Sequence, residues 1–110
     1  MTEMNAMQFH KCTKEEAQPV LVEFWAPWCG YCRRIIPALE TVSKKMDGKL
    51  RMGRVNIDLE PALSDEEQIE VVPTLVIYHK GQVLGSIVAP ESRARIEEFI
   101  NMTLGGMEYA

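Results

Sequence analysis

The sequence is poor in most features that would set it apart from ordinary globular proteins. It has 3 cysteines among 110 residues, and aromatic residues make up 7% of the chain. No apolar run approaches the roughly 20 residues that cross a bilayer as a helix, so we expect no membrane segment. No repeat, linker or low-complexity tract interrupts the chain, and 46% hydrophobic residues with 25% charged residues are typical of a folded domain. We therefore expect a single domain over residues 1–110.

Positive charge is also scarce. The 12 Lys and Arg residues are outnumbered by 16 Asp and Glu residues, which leaves a net charge of −4. The basic residues are scattered, so the composition argues against a nucleic-acid partner. The N-terminal residues contain neither a basic segment nor an apolar stretch, and we expect no secretory signal. These features predict a cytoplasmic protein, which we expect to be a monomer, and cysteines in a reducing compartment rarely form a structural framework.

Two of the cysteines are close together where a strand is predicted to give way to a helix. The apolar run Val20 to Trp25 predicts a strand buried on both faces, and Cys29 and Cys32 follow it. The free N–H groups and the positive end of the helix dipole favour a thiolate at Cys29. Only the thiolate attacks a disulfide. We therefore predict that Cys29 is the nucleophile and that Cys32, one turn deeper, resolves the mixed disulfide.

The cysteines also allow two other interpretations. One is that Cys29 and Cys32 are inert core residues, and the other is that they join His10 and Cys12 as the ligands of a zinc ion. Structural zinc, however, usually draws two tight Cys/His pairs from loops, and Cys12 belongs to a separate predicted helix. We expect no metal, and we expect Cys12 to be a small buried apolar residue.

The hydrophobic periodicity predicts an alternating fold. Strands are predicted over 20–25, 50–57, 74–79 and 83–88, with a short strand near 2–4, and helices over 8–16, 29–46, 61–68 and 91–103. Pro37 is expected to bend its helix rather than end it. Lys80-Gly81-Gln82 predicts a hairpin, and Gly105-Gly106 is expected to cap the last helix. The order predicts an α/β fold, a three-layer α/β/α sandwich with a central mixed sheet.

Glu23 is a lone carboxylate inside the otherwise apolar strand 20–25. Desolvation should raise the pKa of Glu23, which suits a group that exchanges a proton with Cys32, directly or through water. The alternative is that the extra methylene of glutamate lets the carboxylate reach solvent, with no catalytic task.

Several separate motifs resemble those of the thioredoxin family. They are Phe24 to Cys32, Val55 to Asp58, Val72-Pro73-Thr74 and Lys80-Gly81, in the family's order and spacing from about Phe9 to Leu104. The resemblance implies the thioredoxin fold and thiol–disulfide exchange with disulfide-containing client proteins. It also implies an electron donor similar to thioredoxin reductase and no cofactor beyond the cysteine pair.

The resemblance assigns further residues to the site. Pro73 is expected to be cis, so that the backbone of Val72 and Thr74 is free to pair with an extended substrate segment. Trp28 is expected to shield the nucleophile and to present an apolar rim to partners. Gly30 lies between the cysteines and is expected to help shape the same surface.

Other positions depart from the family's usual pattern. Tyr31 replaces a proline and Glu23 replaces an aspartate, and the segment is also similar to that of protein disulfide isomerases, which have histidine at the position of Tyr31. The N–H and hydroxyl of Tyr31 could both stabilise the reduced thiolate. We therefore predict a reduction potential of the Cys29–Cys32 disulfide between the value of about −270 mV for thioredoxin and that of about −180 mV for protein disulfide isomerase. Arg54 occupies the position of a family lysine and is expected to hold Glu23 ionised, unless it is an exposed strand-end residue. Ala89 occupies the position of a glycine that lets partner backbones approach.

The sequence thus predicts a protein-disulfide reductase that acts through Cys29 and Cys32. One alternative is a disulfide oxidase or isomerase with a more oxidising potential, favoured by Glu23 and by the missing proline. The other is a non-catalytic interaction subunit that keeps the fold without turnover.

Overall fold

One mixed β-sheet with helices on both faces organises residues 1–105, the part of the chain that this computed structural model describes. The elements are β1 (Thr2–Glu3), α1 (Ala6–Glu15), β2 (Val20–Trp25), α2 (Gly30–Arg34), α3 (Ile36–Lys45), β3 (Arg51–Asn56), α4 (Pro61–Glu66), β4 (Thr74–His79), β5 (Gln82–Val88) and α5 (Arg93–Leu104). The strand order is β1-β3-β2-β4-β5. β1, β3 and β2 are parallel, whereas β4 and β5 run antiparallel to their neighbours.

Two apolar cores lie on opposite faces of the sheet and confirm the three-layer arrangement. Alternate residues of a strand point to opposite faces, so the central strand β2 contributes to both cores. Helices α3 and α5 cover the face that includes Leu21, Leu75 and Ile77, whereas α1 and α4 cover the face that includes Val22 and Val76. None of the helices in this described range is long and apolar enough to cross a membrane.

The predicted strands and the hairpin are confirmed. β2 and β4 have the predicted bounds, and β1, β3 and β5 differ from prediction by a residue at one or both ends. At the hairpin, Lys80 and Gly81 have φ angles of 54° and 80°. Positive φ at two successive residues is typical of the turn whose twist matches that of the flanking strands.

Helix boundaries differ where side chains cap the first turn. α1 begins at Ala6, two residues before the prediction, because Asn5 and Gln8 form a reciprocal capping box. α5 begins at Arg93 because the Ser92 hydroxyl accepts a hydrogen bond from the Arg95 N–H. Gly105 is the C-cap of α5, as predicted, whereas Gly106 lies outside the described residues.

The predicted helix 29–46 is two helices, and the expectation that Pro37 only bends it was wrong. α2 ends at Arg34, Ile35 is in a turn, and α3 begins at Ile36 with Pro37 in its first turn. Proline has no N–H for the carbonyl four residues earlier, but in a first helical turn that N–H has no intrahelical partner anyway. A new helix that begins at Ile36 therefore avoids the missing backbone hydrogen bond that Pro37 would cause inside a continuous helix.

Candidate redox site

The two close cysteines form a disulfide at the start of α2. Cys29 is the N-cap residue, its Cα lies 5.3 Å from that of Cys32, and its sulfur accepts a hydrogen bond from the Cys32 N–H at 3.1 Å. Cys29 is 8% exposed and Cys32 is fully buried. The outer sulfur is therefore the more accessible one, and it lies beside backbone donors that stabilise negative charge.

The loop before β4 contacts the outer sulfur. The Val72–Pro73 peptide bond is cis, as predicted. The Val72 carbonyl oxygen lies 3.8 Å from Cys29 Sγ, a contact without a hydrogen bond because a disulfide sulfur carries no hydrogen. Thr74, the first residue of β4, is buried. The Ala89 N–H donates to the Pro73 carbonyl oxygen at 2.8 Å, which ties the loop after β5 to this loop.

The rim around Cys29 is open and partly apolar. Trp28 is 67% exposed, although its indole N–H donates to Asp58 Oδ1 at 3.3 Å. A Cβ added to Gly30 would meet no atom within 4 Å. The fold itself therefore places no steric demand on this glycine, and the space beside the disulfide is free for another chain.

The Tyr31 side chain packs against the cluster that contains the two cysteines, but its hydroxyl is bound elsewhere. Its hydroxyl donates a hydrogen bond to the Pro90 carbonyl oxygen, and the Arg34 guanidinium lies 5.8 Å from its ring centre. The Tyr31 hydroxyl therefore connects α2 to the loop between β5 and α5. It is already engaged, which removes one of the two reasons for expecting a more oxidising disulfide.

Glu23 and Arg54 form an ion pair inside the protein. Glu23 is fully buried, and Arg54 Nε donates to Glu23 Oε1 at 2.7 Å. Only 15% of the Arg54 side chain is exposed, so the alternative of an exposed strand-end arginine is excluded. Glu23 is on the same face of β2 as Leu21, the face that α3 and α5 cover.

Burial raises the pKa of Glu23 above the ordinary value of 4.5. The hydrogen bond and the charge of Arg54 lower the pKa of Glu23, but they only partly offset the cost of burying the carboxylate. Desolvation acts as the sequence predicts. The arginine binds Glu23 as expected without keeping its pKa low.

Sequence reasoning missed Glu3 and the contact role of Trp25. Glu3 Oε2 lies 3.3 Å from Arg54 Nη1, and the Trp25 indole N–H donates to Glu3 Oε1 at 3.0 Å. The predicted short strand near residues 2–4 was the available indication, but its register against β3 is a tertiary property.

The candidate zinc ligands do not come together. Cys12 is on the buried face of α1, where burial raises the pKa of its thiol, and His10 faces Glu66 at 3.9 Å. Cys29 and Cys32 belong to another cluster. No three His, Cys, Asp or Glu side chains within residues 1–105 converge on a possible metal position.

A disulfide that begins the helix after a central strand, next to a cis-proline loop, defines a thiol–disulfide oxidoreductase. The thioredoxin family model matches residues 1–102. The chain belongs to the thioredoxin family, whose members act through a redox-active cysteine pair and need no cofactor.

Individual thioredoxins support this assignment over most of the chain. The chain is 34% identical over 86 residues to Thioredoxin 1 of Nostoc sp., covering 78% of this chain and 80% of that protein. It is 31% identical over 96 residues to Thioredoxin of Rickettsia felis, covering 87% and 91%. Thioredoxin M4, chloroplastic, of Arabidopsis thaliana is 39% identical over 90 residues, which are 82% of this chain and 47% of that protein. These similarities do not favour the isomerase or non-catalytic alternatives.

Proposed function

We propose that this chain is a single-domain reductase of protein disulfides in which Cys29 attacks and Cys32 resolves. The observation that carries the proposal is the unequal placement of the two sulfurs. Cys29 is at the N-cap of α2 and is the more accessible, whereas Cys32 is fully buried behind it. A thiolate at Cys29 would keep the Cys32 N–H as a donor, which favours the charged form.

The exchange proceeds in two balanced steps. The Cys29 thiolate attacks one sulfur of a client disulfide, forms a mixed disulfide and releases the other client sulfur as a thiolate. The Cys32 thiolate then attacks Cys29 Sγ, which forms the internal disulfide and releases the second client thiolate. The client gains two electrons and the cysteine pair loses two. A dithiol or flavin reductase of the thioredoxin reductase kind returns them.

Glu23 is the group we assign to the Cys32 proton. The proposal is supported by its burial and raised pKa, which bring a carboxylate closer to the range where it both accepts and releases a proton. Its Oε2 atom has no hydrogen-bond partner among the described residues. The carboxylate takes the proton as Cys32 becomes a thiolate, either directly or through water.

Client recognition falls to the open rim. The exposed indole of Trp28 offers apolar contact, and the open space at Gly30 admits a client backbone beside the disulfide. The cis Pro73 loop, with Val72 and Thr74, supplies backbone groups for an extended segment. Tyr31 braces this rim through Pro90, and Arg54 acts through Glu23.

The remaining parts of the proposal concern context. We assign the protein to the cytoplasm as a monomer. We also propose that it binds neither nucleic acid nor membranes, since its net charge is −4 and its basic residues are scattered. The cysteine pair carries the redox chemistry without a metal or other cofactor.

The test is insulin reduction, followed as precipitation, first with dithiothreitol and then with NADPH and a heterologous thioredoxin reductase. The wild type is expected to accelerate precipitation in both, and Cys29→Ser in neither. Cys32→Ser is expected to accumulate a mixed disulfide with insulin, because the resolving thiol is gone. Cys12→Ser is the matched control and is expected to match the wild type. Activity that appears only in glutathione buffers with scrambled substrate would contradict the reductase assignment.

A further inference from the structure

Arg54 stands between two carboxylates in one row across the sheet. In the parallel register, Glu3 of β1 and Glu23 of β2 are both direct partners of Arg54 on β3. Partners in adjacent parallel strands place their side chains on the same face. The guanidinium is therefore reached from both sides, by a half-exposed carboxylate and by a fully buried one.

Arg54 donates only one of the two hydrogen bonds that it could make to the buried Glu23 carboxylate. Nε donates to Glu23 Oε1 at 2.7 Å, but Arg54 Nη2 and Glu23 Oε2 are both buried without a hydrogen-bond partner in the described structure. Nε and Nη2 are the two donors on one side of a guanidinium and can together grip both oxygens of a carboxylate. Glu3 holds the remaining nitrogen, Nη1, at 3.3 Å.

Glu3 is fixed in place although it lies near the chain start. The Trp25 indole N–H donates to Glu3 Oε1 at 3.0 Å, and the Arg54 guanidinium lies 4.1 Å from the centre of the same indole ring. The Met4 N–H donates to the Arg54 carbonyl oxygen at 2.8 Å. The buried Met4 side chain fills the space that a Cβ on Gly53 would need. The Trp25 indole thus contacts both members of the Glu3–Arg54 ion pair.

We propose that Glu3 is a positioning residue of the redox site, which draws Arg54 away from a two-point grip on Glu23 and so keeps that buried carboxyl able to take up and release a proton. The catalytic consequence rests on the proposed role of Glu23. Glu3 acts on Glu23 through Arg54, with which it forms an ion pair.

The electrostatics of the row support this assignment. The Arg54 guanidinium is permanently charged, so the variable is how its interactions are divided between Glu3 and Glu23. The charged groups that act on Glu23 are Arg54 from β3, which lowers its pKa, and Glu3 from β1, which raises it. The register partner from β4 is the apolar Leu75, and the Cys29–Cys32 disulfide does not titrate.

The test is a carbon-13 NMR titration of the Glu23 carboxyl in the oxidised protein. Glu3→Gln is expected to lower the midpoint by about half a pH unit, the size expected for a charge pair at a partly exposed site. Glu66→Gln removes a more exposed carboxylate from α4 and is expected to leave the midpoint unchanged. Trp25→Phe keeps an aromatic ring but loses the donor to Glu3, so it should move the midpoint in the same direction as Glu3→Gln.

A second readout separates the two proposals. In single-turnover reduction of insulin, the acidic limb of the rate profile is expected to shift with the Glu23 midpoint in Glu3→Gln. An unchanged or raised midpoint would overturn the role of Glu3. A lowered midpoint with an unmoved rate profile would uphold the control of Glu23 by Glu3 and remove Glu23 from the chemistry.

Discussion

Replacing Arg54 with methionine removes the cation that accompanies a fully buried carboxylate. Breaking one side of a buried ion pair typically costs about 3–5 kcal/mol, because the remaining charge has lost its partner. Arg54 is 15% exposed, and Glu23 can escape the cost by protonating, so we expect the lower end, about 3 kcal/mol at pH 8. Urea denaturation of the oxidised protein should show this as a midpoint lowered by about 2 M.

The loss should depend on pH with a defined sign. Burial raises the folded pKa of Glu23 above 4.5, so the stability linked to Glu23 is complete below 4.5 and declines as pH rises through the folded pKa. Arg54→Met raises the folded pKa further, which extends this decline. The variant should therefore be much closer to the wild type at pH 5 than at pH 8.

Two variants serve as controls for this prediction. Arg51→Met removes a neighbouring arginine of β3 whose partner Glu16 is 33% exposed, and it should cost less than about 1 kcal/mol at either pH. Adding Glu23→Gln to Arg54→Met should recover part of the loss at pH 8, since no carboxylate is left buried. A cost for Arg54→Met below about 1 kcal/mol at pH 8, or one equal at both pH values, would refute the reasoning.

Three further outcomes are expected. Tyr31→Phe should change the reduction potential, measured against glutathione, by less than about 10 mV, because the Tyr31 hydroxyl binds Pro90. Tyr31→Pro should make the reduction potential more negative. A large shift in Tyr31→Phe would contradict this interpretation. In the reduced, folded protein, iodoacetamide at neutral pH should label Cys29 but spare Cys12, whose pKa burial raises; peptide mapping that finds Cys12 labelled would refute it. Ala89 has a φ of +44°, so Ala89→Gly should stabilise the protein by about 0.5 kcal/mol in urea unfolding, and a loss of stability would argue against backbone strain there.

Much of the fold follows from local patterns. The apolar run 20–25 marks the central strand because that strand is buried on both faces, and Lys80-Gly81 marks the hairpin because its turn needs positive φ. The helix boundaries were less accurate. Asn5 with Gln8 three residues later was a readable capping pair, whereas Pro37 is compatible both with a bend in one helix and with the first turn of a new helix.

The sequence by itself determined the chemistry of the site, because two cysteines at this spacing after a buried strand place one sulfur at a helix start and the other a turn deeper. Only the tertiary structure decided what surrounds them. Glu3, Arg54 and Glu23 form one row because β1, β3 and β2 pair in a particular register. The Tyr31 hydroxyl meets a carbonyl 59 residues away. Periodicity reports which face a residue occupies, whereas the partner it meets there depends on how distant strands and loops align.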